Sequence, residues 1–142
     1  MNTRIRWIRL IIGAVVVETA AVIILVGLVA IVGPNEATAA QRYAEKLGFW
    51  VGPIAGTLLT FVGAFMISRP LSGRRALHGI LFGFCVAFVD VAILLAMRAP
   101  FEWIFLVSNV SKLIAGYLGG VCAARSRATV IGGSKTNESN VA

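Results

Sequence analysis

Three ionisable residues stand inside long apolar runs: Glu18 in "VVVETAAV", Asp90 in "AFVDVAIL" and Lys112 in "SNVSKLIAG". Two carboxyls and an ammonium can pair with one another, hold a cation or pass a proton. A lone charge at the centre of a lipid layer costs roughly 2.5–3.5 kcal/mol on insertion scales, so such residues turn toward a partner or a cavity. On helical geometry Asp90 projects only about 20° from Gly79. Lys112 lies between Ser108, Gly116 and Gly119 on its own helix. Both ride the small-residue faces of consecutive segments, which predicts an Asp90–Lys112 pair with supporting hydrogen bonds from Ser108, Asn109 and Ser111.

Glu18 is then left without an assigned counter-charge. It must be neutral, shared in a three-way cluster, or met by a second subunit. A buried carboxyl of this kind is a candidate proton or ion site, and an interior hydrogen-bonded Glu with no turnover is the structural alternative. Other chemistry finds little support. Cys85 and Cys122 have no paired spacing, the single histidine, His78, cannot supply both axial ligands of a haem, and no metal-ligand cluster, Ser/His pair or nucleotide loop is present. The expectation is therefore no enzyme, no cofactor and no metal.

The elements that must position these residues follow from composition. Of 142 residues, 58% are hydrophobic and 13% charged, and the mean hydropathy is +0.89. Crossing a ~30 Å hydrocarbon layer takes roughly 20 apolar residues at 1.5 Å each. Four segments qualify: Leu10–Gly33, Phe49–Ser68, Gly79–Met97 and Trp103–Ala124. Each charged residue then sits within roughly 5 Å of its span's centre. The predicted fold is an all-α integral membrane protein, a compact bundle of four transmembrane helices over residues 1–124, followed by a disordered cytoplasmic tail at 125–142. The first apolar stretch, 24 residues long, exceeds the roughly 7–15 of a signal-sequence core, so it is read as a retained helix.

Arg and Lys alternate in density along the chain. Nine (Arg4, Arg6, Arg9, Arg69, Arg74, Arg75, Arg125, Arg127, Lys135) fall on one side and three (Arg42, Lys46, Arg98) on the other. Positively charged short loops stay inside, so both termini are expected in the cytoplasm. Trp7, Trp50 and Trp103 mark span edges. The formal charge of +7 then reflects topology and contact with anionic headgroups, and nucleic acid is not an expected partner. The expected partners are the lipid bilayer and a second copy of the chain or another membrane protein.

Between the first two spans, "GPNEATAAQRYAEKLG" reads as a short interfacial helix in the first external loop, with Asn35 as cap and Gly48 as stop. Pro53 reads as the first turn of span two. That span carries Gly52, Gly56, Thr60, Ala64 and Ser68 at every fourth position, span three carries Gly79 and Gly83, and span four Gly116 and Gly119. Such stripes let helix backbones approach closely in lipid. A faint echo between "VETAAVIIL" and "VDVAILLAM" hints at two hairpin repeats. The functional expectation is a small oligomeric proton- or ion-linked carrier or channel with a midplane charge cluster; the alternative is a non-catalytic accessory or scaffold protein that binds partner helices.

Overall fold

The computed structural model describes residues 7–71, 73–98, 100 and 102–138, the last twelve of these by backbone alone. Arg4 and Arg6, and positions 139–142 of the expected tail, lie outside the described residues. Four helices are present among the described residues: α1 (Trp7–Val32), α2 (Ala37–Ser68), α3 (Arg75–Ala96) and α4 (Trp103–Glu138). Each is long and apolar enough to cross a membrane, which marks a multi-pass membrane protein. Their outward faces are apolar, with Ile31 83%, Ile8 73% and Phe88 67% exposed, as befits side chains whose solvent is hydrocarbon.

The helices form two antiparallel hairpins, α1–α2 and α3–α4. Gly13 faces Ile67 and Gly48 faces Leu25 in the first, while Gly79 faces Gly120 and Gly83 faces Leu113 in the second. Across the hairpins α1 runs parallel to α3 and α2 parallel to α4, as shown by Gly13 beside Phe82, Gly56 beside Lys112 and Gly119 beside Phe61. Among the described residues the backbones of α1 and α4 do not come close; they occupy opposite corners, with α2 and α3 between them.

Glycine sets the tightest seams. A methyl group on Gly79 would strike the Gly116 carbonyl and sit 2.8 Å from the Gly120 Cα, and one on Gly83 would sit 2.6 Å from the Lys112 carbonyl. On its other flank α4 presses Gly119 against the Phe61 carbonyl of α2. The stripes expected from Gly56, Thr60, Gly79, Gly83, Gly116 and Gly119 are thus spent between helices of one chain. Gly52 is the exception, since a Cβ there meets nothing within 4 Å.

Several boundaries differ from expectation. Residues 37–47 are helical, but they are the opening turns of α2 and not a separate interfacial helix. Gly48 does not stop the chain, because a helix stop uses a left-handed residue and no described glycine has positive φ. Inside a helix glycine costs only about 1 kcal/mol against alanine, which the long α2 absorbs. Pro53 accordingly lies in the interior of α2, where it leaves the Phe49 carbonyl without its usual amide donor. Glu36, one residue after the expected Asn35, holds the N-cap position. At the other end α4 continues to Glu138, through residues 125–138 where a disordered tail was expected. Nothing in "RSRATVI" breaks a helix, there being no proline and no glycine before Gly132.

Below the charged residues the bundle is closed by Leu10, Ala14, Val17, Ala64, Phe82 and Val86. Phe82 is fully buried. Its ring fits because Gly13 and Gly63 lack side chains; a Cβ on either would approach it within 2.9 Å.

Candidate functional site

Lys112 reaches across the bundle from α4. Its Nζ donates to Glu18 Oε1 on α1 at 2.8 Å and forms an ion pair with Asp90 Oδ2 on α3 at 2.9 Å. The predicted Asp90–Lys112 pair is present, and Glu18 joins it. Of the three readings open for Glu18, the geometry is the three-way cluster within one chain. The lysine side chain is 3% exposed, that of Glu18 8% and that of Asp90 20%.

Local sequence makes this reach feasible. A Cβ on Gly56 would come within 2.9 Å of Lys112 Cε, so the absent side chain is the channel through which the lysine stem passes α2. Thr60, one turn on, is fully buried and donates its hydroxyl to the Gly56 carbonyl at 2.6 Å, which satisfies its polar group without competing for the ammonium.

The expected supporting hydrogen bonds do not form. Asn109 turns back to its own helix, its Nδ2 donating to the Phe105 carbonyl at 2.8 Å. Ser111 is half-buried and makes no bond to the cluster. Ser108 is 4% exposed and its hydroxyl has no hydrogen-bond partner among the described residues. It faces a cavity instead.

That cavity, about 210 Å³, is floored by Glu18, Asp90, Lys112 and Ser108 and walled by apolar residues, including Leu25, Leu94 and Phe105. Gly48, Gly52 and Pro53 form its α2 wall. Leu25, Gly48, Leu94 and Phe105 all lie toward the ends of the helices joined by the α1–α2 and α3–α4 connections, so the cavity occupies that half of the bundle and the Phe82 core fills the other. Sequence reasoning found the charges but missed this space. Gly48, Gly52 and Gly56 at four-residue intervals were its only signal, and the same spacing also describes a packing stripe.

Electrostatically the cluster holds one ammonium against two carboxylates. Fully ionised it carries one surplus negative charge, which one proton or one monovalent cation would neutralise. Glu18 Oε2 and Asp90 Oδ1 have no hydrogen-bond partner among the described residues, and Lys112 keeps one of its three N–H groups unmatched. No three His, Cys, Asp or Glu side chains are grouped to hold a metal among the described residues. His78, expected at a span edge in a structural role, is 4% exposed and its Nδ1 lies 3.0 Å from the Arg74 carbonyl. Compared with protein-family models, curated proteins and solved structures, the chain matches none.

Proposed function

We propose that the protein is a small carrier or channel in which Glu18, Asp90 and Lys112 form a proton- or ion-linked site. The observation that carries the reading is the cavity of about 210 Å³ that lies against a buried cluster with one surplus negative charge. A charge cluster used only as glue needs no such cavity. Ion pairs of this kind are replaceable by well-packed apolar residues with little loss of stability, so their presence beside a cavity favours exchange over packing. With both termini in the cytoplasm, as the nine-to-three distribution of Arg and Lys suggests, the cavity lies in the outer half of the bundle, from which the carrier would load, and the Phe82 core forms the closed inner half. Transport in this scheme requires that core to part while the outer half closes.

The scaffold alternative has the charges and the glycine stripes bind partner helices. Apart from Gly52, those stripes are occupied within the chain, and the charges pair with one another, which leaves that reading with little support. Glu18 also has its counter-charge in the same chain, so the site itself asks for no second subunit, and a homo-oligomer is proposed only as the assembled form.

The test is Glu18→Gln, which keeps size and hydrogen-bonding capacity but cannot ionise. In proteoliposomes under an imposed pH gradient, the parent should move protons and Glu18→Gln should not, while both remain folded in detergent. Equal proton movement by the two would remove Glu18 from the mechanism.

A further inference from the structure

We infer that the cavity above the cluster binds a small monovalent organic ammonium ion. This deepens the reading of the cluster as an ion-linked site by naming its cargo. Four observations converge. The floor carries a single surplus negative charge, so an anion is repelled and a monocation brings the site to neutrality. Glu18 Oε2, Asp90 Oδ1 and the Ser108 hydroxyl are acceptors without partners among the described residues, three for the three N–H groups of a primary ammonium. Ser108 is the most telling of them, because the residue is 4% exposed, its hydroxyl has no bond of its own among the described residues, and what stays open of it lies on the cavity floor. The walls are apolar, with Leu25, Leu94 and Phe105 above the charges, and would cover an alkyl body.

A bare proton needs no cavity of about 210 Å³. A hard inorganic cation asks for six or more oxygen ligands, twice what this floor provides, with the Lys112 ammonium beside it. The volume falls below the roughly 300–1,000 Å³ of sites for drug-sized ligands, which limits the cargo to a few carbon atoms. Around the bound cation α1 contributes Glu18, α3 Asp90 and α4 Lys112, whereas α2 contributes Gly48, Gly52 and Pro53 and no titratable group. A proton and an ammonium ion would therefore compete for the same one surplus charge, giving one-for-one exchange.

The experiment is equilibrium binding to the full chain in detergent with n-propylammonium, 1-propanol, propionate and potassium as probes. Propylammonium should bind saturably, and the alcohol and the acid should not. Glu18→Gln and Asp90→Asn each leave the cluster neutral and should each weaken binding by about 10- to 100-fold, the worth of a hydrogen bond to a charged group. Should either variant fail to fold, Gly52→Leu decides. Its side chain enters empty space inside the cavity, so it should keep the parental melting temperature and lose binding. Parental affinity in folded Gly52→Leu, equal binding of propanol and propylammonium, or competition by potassium at equal concentration would each overturn the inference. Proton movement that depends on Glu18 without propylammonium binding would overturn this inference alone; propylammonium binding without transport would overturn only the carrier reading.

Discussion

At the residue scale the arrangement turns on Lys112, which meets carboxylates from two other helices. Removing one member of a buried ion pair typically costs about 3–5 kcal/mol, because the remaining charge is stranded. Lys112→Met strands two, and should be the most destabilising single change at the site. Asp90→Asn should cost less, since the 2.8 Å bond to Glu18 survives. The informative variants are the combined ones. Asp90→Asn with Lys112→Met still leaves Glu18 unmatched and should recover little, whereas the triple neutral variant with Glu18→Gln should return to parental stability in chemical denaturation or beyond it. Full recovery in the double variant would uncouple Glu18 from the cluster. The chain's hydropathy pattern made all three residues visible and the Asp90–Lys112 pair deducible, because the small faces of adjacent antiparallel helices converge. It did not reveal that Lys112 would also reach α1. That contact depends on a single missing side chain, Gly56, and on α1 and α4 occupying opposite corners, which helical periodicity within one segment does not encode.

At the scale of the element, glycine has two opposite uses in this bundle, and sequence spacing alone does not separate them. Gly79 meets backbone on α4, where a methyl group would strike the Gly116 carbonyl. Gly27 on α1 has nothing within 4 Å. Gly79→Ala should therefore cost about 1–3 kcal/mol through forced separation of α3 and α4, while Gly27→Ala should be neutral or stabilising by up to about 1 kcal/mol through better helix propensity. Thermal unfolding in detergent distinguishes them, and equal effects would contradict the packing described. Boundaries show the same division. Trp103 at the start of α4 and Ser68 at the end of α2 were legible from composition, whereas Gly48 and Pro53 suggested a break that α2 does not make. Breakers act through backbone conformation, and at these two positions the neighbouring turns hold the helical form. The arginines Arg74 (φ 51°) and Arg98 (φ 52°) instead take the left-handed conformation at the two ends of α3.

Across the whole molecule the bundle is asymmetric along its long direction. One half is packed by Phe82 between Gly13 and Gly63, and the other is opened by the cavity over Glu18, Asp90 and Lys112. Apolar outward faces and four spans were readable from the sequence because lipid demands them over whole segments. The cavity was not, since an empty volume is set by where four helices fail to touch. Carrier chemistry requires that this volume be an aqueous path from one side of the membrane. The most direct measurement is thiol labelling of intact cells with a membrane-impermeant reagent, in a background with Cys85→Ala and Cys122→Ala. Gly52→Cys lies in the cavity and Gly73→Cys in the α2–α3 connection, and a Cβ at either position meets nothing within 4 Å, so neither substitution disturbs packing. Gly52→Cys should label from outside and Gly73→Cys only after permeabilisation. A protected Gly52→Cys, or one that labels only after permeabilisation while Gly73→Cys reacts in intact cells, would contradict an outward-facing path to the charge cluster.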